Sequence, residues 1–218
     1  MDWPEVLKQI SIIIAIWVAI YGIDSWRREH TGKRRIELVE DALALFYEAS
    51  DAIRHIRGPM SYDFETKEVE KIERESEKAY QARKKASVVI VRYNQHQELF
   101  NKLYAMRYRF MAQIGKEEAM RFDELRVITN EIILSGRMLA HLWAKDYFRT
   151  DEQWNAHHEQ VDKYESVFWD SMSEDDPINP KLDEVITKME VTCKRVVEAK
   201  NSLYGMLNIP LRIKNWKC

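Results

Sequence analysis

The chain has 218 residues, 45% of them apolar and 32% charged, with 34 Lys plus Arg against 36 Asp plus Glu. That composition weighs against wholesale disorder, and the near balance of charge weighs against a broadly basic nucleic-acid binder. With only 6 Gly and 5 Pro, and with apolar residues recurring at helical spacing, it points to an all-α chain without strands.

The first element is the most distinctive. Residues 10–23 read ISIIIAIWVAIYGI, fourteen positions without a charge. Val6, Leu7 and Trp26 extend the apolar character on either side, reaching the roughly 20 helical residues that a bilayer core of about 30 Å requires. Lys8 can snorkel, and Trp3, Tyr21 and Trp26 fall where interfacial aromatics belong. The expected anchor residues are Ile10, Ile12, Ile13, Ile14, Ile16, Trp17, Val18, Ile20 and Ile23. A cleaved signal peptide fits less well, because Asp2 and Glu5 outnumber Lys8 and no A-x-A site follows. An interfacial helix would need one polar face, and this segment is apolar all round.

Arg27, Arg28, Lys33, Arg34 and Arg35 follow, opposed only by Glu29. By the positive-inside rule they place the rest of the chain in the cytoplasm, and they are candidates for anionic lipid headgroups. Residues 1–30 are thus expected to be a membrane anchor, with a basic patch extending to 35.

Beyond it, residues 36–207 are expected to form an elongated helical-bundle or coiled-coil domain. The first helix, about 34–57, carries Ile36, Val39, Leu43, Phe46 and Ile53 at 3-4 spacing. It is expected to continue from the membrane helix, with Thr31 and Gly32 as the place for a hinge. Gly58 and Pro59 stop it, and Arg54 and Arg57 suit the negative end of its dipole.

The pattern predicts a second helix over 63–114, a rod of roughly 75 Å. Its first half is a solvated stretch with pairs such as Glu70 and Arg74; Val88, Val89, Ile90 and Val91 are read as helical because their flanks are. A third helix over about 117–148 has Leu125, Ile128, Ile132, Leu139 and Leu142 at heptad spacing. Thr150 and Gln153 have the form of a capping box for a fourth, 151–172. Trp143, Tyr147, Phe148, Trp154, Tyr164, Phe168 and Trp169 gather around that junction, as core aromatics usually do. Residues 173–180, SEDDPINP, read as a linker, after which Asn179 and Pro180 supply an N-cap and an N1 proline for a fifth helix, 180–207. Residues 208–218 read as a short basic tail.

No catalytic constellation stands out. No histidine has Glu three residues before it, as a di-iron bundle requires. His158, Glu159 and Asp162 resemble HExxH with aspartate in place of the second histidine; a zinc-dependent hydrolase on that basis lacks a third ligand. Phosphate-loop and G-x-S-x-G motifs are absent. Cys193 and Cys218 form no CxxC pair, which suits a reducing compartment, and Cys218 is not four from the end, as prenylation needs. Arg92, Tyr93, Phe100, Lys102, Tyr104, Arg107, Tyr108 and Arg109 interleave basic and aromatic groups as a nucleic-acid surface does. Removing the six cations and four anions before position 36, however, leaves 28 basic against 32 acidic residues, so nucleic acid is not favoured.

Residues 31–65, with Gly32 and Lys33 after the membrane segment, then Asp51, Ala52 and Ile53, then Arg57 and Pro59, resemble the juxtamembrane region of uncharacterised small bacterial inner-membrane proteins with one N-terminal membrane helix and a cytoplasmic helical domain. The resemblance implies a single-pass protein of the bacterial inner membrane and brings no active site. Together these features lead to a membrane-tethered scaffold or adaptor that self-associates or binds a protein partner, with the lipid bilayer as its other partner. No cofactor, metal, enzymatic activity or small-molecule substrate is expected. The alternative is a membrane effector or regulator of a stress or phage-defence response.

Overall fold

A computed structural model describes residues 3–201 other than 146, 172 and 174. Among them every regular element is helical: α1 Trp3–Arg57, a 3-10 turn Asp63–Thr66, α2 Glu77–Ala86, α3 Val88–Gln95, α4 Gln97–Gln113, α5 Met120–Leu142, α6 Asp151–Phe168 and α7 Asn179–Asn201. The chain divides into two compact units, one of Met1–Glu40 with the residues from Cys193 on, and one of Asp41–Thr192.

In the first unit, α1 continues through Thr31 and Gly32 from the apolar stretch, as expected, and no hinge interrupts it there. The Thr31 hydroxyl donates to the Arg27 carbonyl at 2.8 Å, one turn back, so this β-branched residue stays within the helix. Leu38 and Val39 are buried, and the Cys193 thiol donates to the Val39 carbonyl at 3.3 Å.

The second unit is built around α5, which contacts α2, α3, α4 and α6. Its inward stripe is Phe122, Leu125, Ile128, Ile132 and Leu139. Phe122 meets Phe46 of α1 edge-on at 4.9 Å and Phe110 of α4 at 5.3 Å, joining three helices through aromatic contacts. The heptad-spaced residues therefore fill this chain's own core. So do Leu182, Ile186 and Met189 of α7, which lies antiparallel to α1: Arg54 pairs with Asp183 at 3.0 Å and the Tyr47 hydroxyl donates to Glu190 at 2.6 Å.

The structure corrects the continuous rod expected over 63–114. Residues 67–76 leave the helix, with Arg74 at φ 65°, so Glu70 and Arg74 cannot be a helical pair. This loop is held by α2. Arg83 donates to both oxygens of Glu75, at 2.8 and 2.7 Å, and to the Glu70 carbonyl at 2.7 Å, while the Tyr80 hydroxyl donates to the Val69 carbonyl at 3.0 Å. Ser76 caps α2 by accepting from the Ala79 N–H. Further interruptions at Ser87 and His96 divide the remainder into three short helices.

The third expected helix ends at Leu142 rather than 148, and the fourth at Phe168 rather than 172. Thr150 caps α6 by accepting from Gln153 N–H at 3.2 Å; the Gln153 side chain reaches the Arg149 N–H instead of that of Thr150. Residues 202–207 of the fifth helix, and the tail 208–218, lie outside the described residues.

Small residues set the approach of helices to α5. A Cβ at Gly136 would lie 2.7 Å from the Val89 side chain and 3.1 Å from the Ala86 carbonyl oxygen, distances that oblige neighbours to shift. Gly136→Ala is expected to destabilise the protein by about 1–2 kcal/mol, the overpacking cost exceeding the gain in helix propensity. A lowered midpoint in chemical denaturation, with Ala105→Gly at an exposed position of α4 as a comparison for propensity alone, checks this.

Candidate functional site

The expected anchor residues are all on the surface. Ile10, Ile12, Ile13, Ile14, Ile16, Trp17, Val18, Ile20 and Ile23 are between 48% and 68% exposed, and none of the most apolar 18-residue stretch of α1 is buried. The helix is long and apolar enough to cross a membrane. Trp17 stacks on Tyr21 at 5.7 Å and Trp26 on His30 at 5.6 Å, giving the polar end of the stretch an aromatic border.

The five basic residues are not equivalent. At 100° per residue, Arg27, Arg28, Arg34 and Arg35 share an arc of about 120°, whereas Lys33 projects elsewhere. Arg28 is paired with Asp24 one turn back, and Lys33 lies 4.0 Å from Glu37. Arg27, Arg34 and Arg35 are exposed and carry the positive charge of that face outward.

Deep in the second unit lies a polar node that sequence reasoning missed. Arg57, the last residue of α1, has a fully buried side chain, as does Asp176. The guanidinium binds both Asp176 oxygens at 2.9 and 2.8 Å. It also donates to the carbonyls of Ser166, Val167 and Trp169 at 3.0, 2.8 and 2.8 Å, and to the Asn179 side-chain oxygen at 3.0 Å. Those carbonyls are at the C-terminal end of α6, where no intrahelical donors remain.

Asp176 in turn accepts from the N–H groups of Ile178, Asn179 and Ser171 at 2.9, 2.8 and 3.1 Å. Asp176, rather than the expected Asn179, thus satisfies the opening N–H groups of α7, while Asn179 binds Arg57 and Asp170. Burial alone would raise the Asp176 pKa, but Arg57 and these N–H donors together hold its carboxyl well below the usual range. The residues 173–180 read as a linker therefore contain the counter-ion of a buried arginine. The available signal was Arg57 itself, four residues after Ile53 on the apolar face of its helix.

A second buried arginine performs the same task at the end of α1. Arg92 of α3 donates to the Gly58 carbonyl at 2.7 Å, to the Met60 carbonyl, and to Glu65 at 2.7 and 3.1 Å. The Arg92 guanidinium holds the Glu65 carboxyl below its usual value. Beside this clamp is a cleft of about 470 Å³ lined by His55, Pro59, Met60, Tyr62, Phe64 and Gln95 among others. At its margin His55 Nδ1 and His96 Nε2 are 3.1 Å apart, across 41 residues of chain.

The remaining candidates are dispersed or already engaged. In the basic-aromatic series, Arg92 and Phe100 are buried, Lys102 pairs with Glu98, and Arg107 pairs with Asp123. At the aromatic junction only Phe168 is fully buried; Tyr147 is 71% and Trp154 48% exposed, contrary to a simple core. Trp143 donates to Glu165 at 2.7 Å and meets Phe168 edge-on. His158 packs at a tilt against Trp154, ring centroids 4.1 Å apart, and among the described residues no three His, Cys, Asp or Glu side chains gather around it or elsewhere as a metal-holding group. No protein-family model, curated protein or solved structure matches the chain.

Asp176→Asn leaves Arg57 buried without its counter-charge and is expected to cost about 3–5 kcal/mol of stability. A carboxyl whose folded pKa is depressed contributes stability that is complete above its unfolded value, near 3.8, and is lost as pH falls below it. Stability measured from pH 6 to pH 3 should therefore fall more steeply in the wild type than in Asp176→Asn.

Proposed function

We propose that the chain is a membrane-tethered helical adaptor: residues 10–23 sit in a bacterial inner membrane, and the helices from residue 36 onward present a binding surface on the cytoplasmic side. The observation that carries this reading is the exposure of nine large apolar side chains on every face of α1. In water such a surface is unfavourable by about 25 cal/mol per Å² of apolar area, and a hydrocarbon environment removes that penalty. Arg27, Arg34 and Arg35, immediately after Trp26, supply the charge that retains this flank on the cytoplasmic side and contacts anionic headgroups.

The adaptor part of the proposal rests on surface rather than on reaction chemistry. Leu125, Ile128, Ile132 and Leu139 of α5 and Leu182, Ile186 and Met189 of α7 are spent inside the chain, so a partner or second copy uses other surface. Tyr108, Val127, Leu134, Tyr147 and Trp154 are large apolar groups exposed on the second unit, and exposed aromatics of this kind favour protein contact.

In bacterial membranes the wild-type chain is expected to stay in the pellet after alkaline carbonate extraction, and Ile16→Lys to shift it substantially to the supernatant or prevent its accumulation. Protease added to intact spheroplasts should spare the region from residue 36 on and digest it after lysis. Complete extraction of the wild type by carbonate, or digestion from outside, overturns the reading.

A further inference from the structure

We propose that His55 and His96 form a two-histidine binding site for a late first-row divalent cation of the zinc, nickel or copper class, at the margin of the cleft that Tyr62 and Phe64 help to line. The two ring nitrogens face each other at 3.1 Å, with the rings inclined at 78°. Two imidazoles on one tetrahedral zinc ion, each about 2.0–2.1 Å from the metal, have nitrogens about 3.3 Å apart. The separation thus needs to open by only a few tenths of an ångström, and the rings turn so that both lone pairs converge on the metal beside the line joining the two nitrogens.

Both histidines are on firmly held backbone. His55 lies between buried Ile53 and Ile56 near the end of α1. His96 stands at the break between α3 and α4, between buried Arg92 and buried Phe100. Arg92 ties the two segments together by reaching the Gly58 carbonyl and the 62–65 turn through Glu65. The interruption that ends the expected rod at His96 is what lets its ring meet one from α1.

The electrostatics favour a cation. His55 is in the last turn of α1, where the helix dipole presents its negative end. The nearest charged clamp, Arg92 with Glu65, is neutral as a pair. Burial and the neighbouring His55 depress the pKa of His96, which leaves its ring neutral with a lone pair near neutral pH. In the metal-free pair one facing nitrogen carries the hydrogen of the hydrogen bond. Metal binding requires that ring to move its proton to its other nitrogen, with no net proton lost. Water completes the coordination on the open side, and nitrogen ligation selects late transition ions over magnesium or calcium.

The test uses the full, untagged chain in detergent. Zinc at a 100-fold excess over its dissociation constant is expected to raise Tm by roughly 5–10 °C, and magnesium to leave it unchanged. His55→Gln and His96→Gln should each abolish the rise, and His158→Gln should keep it. The rise should weaken as the solution is acidified, because the metal takes only neutral imidazole. Histidine ¹⁵N spectra of the wild-type chain, which need no variant, should show zinc-dependent shifts at the facing nitrogens of these two rings. No rise in Tm, a rise that survives both variants, or ¹⁵N shifts at other histidines would overturn the proposal.

Discussion

The interaction on which the second unit depends is the burial of one positive charge at the end of its first helix. Arg57 stands where α1 stops, where α6 stops and where α7 starts, and one guanidinium serves all three. Three carbonyls at the end of α6, those of Ser166, Val167 and the capping Trp169, lack donors, Asp176 supplies the counter-charge, and the other contacts of Asp176 satisfy the first N–H groups of α7. Taking two charges from water is costly, and their mutual attraction offsets that cost only where each remaining donor and acceptor is engaged. Here the guanidinium has six hydrogen bonds to the surrounding groups. An apolar side chain of similar volume would fill the space but leave the carbonyl ends of α6 unsatisfied.

Arg92 repeats the solution one helix end away. Its acceptors are the carbonyls that follow α1 and the carboxylate of Glu65. The two arginines therefore fix both sides of the segment at Arg57 and Gly58: one binds outward from α1 to α6 and α7, the other binds inward from α3 to the residues that leave α1. The His55–His96 pair and the cleft lie beside this doubly held turn, which is why two solvent-accessible rings can keep a defined separation.

What was legible in the sequence is what depends on neighbouring residues. The stop of α1 at Gly58 and Pro59, the cap at Thr150 with Gln153, and the inward faces of α1 and α5 all follow from spacing within a few turns. The loop 67–76 was not legible, because Glu, Lys and Arg there have good helix propensity. Its structure comes from Arg83 and Tyr80, which bond to Glu70 and Val69 carbonyls from a later helix. Asp176 was hidden for the same reason. Its run of acids and prolines has the composition of a linker, and the arginine that makes it structural is 119 residues away. The aromatic junction shows the reverse error: spacing that marks a core does not tell which rings are covered, and Trp154 and Tyr147 are not. The apolar stretch of α1 was identifiable from its run of isoleucines alone, since its character needs no partner in the chain.

That 119-residue separation also has a consequence for biosynthesis. A ribosome adds about 5–20 residues per second, so Arg57 emerges some 6–24 s before the aspartate that neutralises it. Throughout that interval the end of α1 has no means of closing over its charge, whatever surrounds its beginning. Completion of the second unit is consequently a late event, timed by the arrival of a short acidic loop made long after α1.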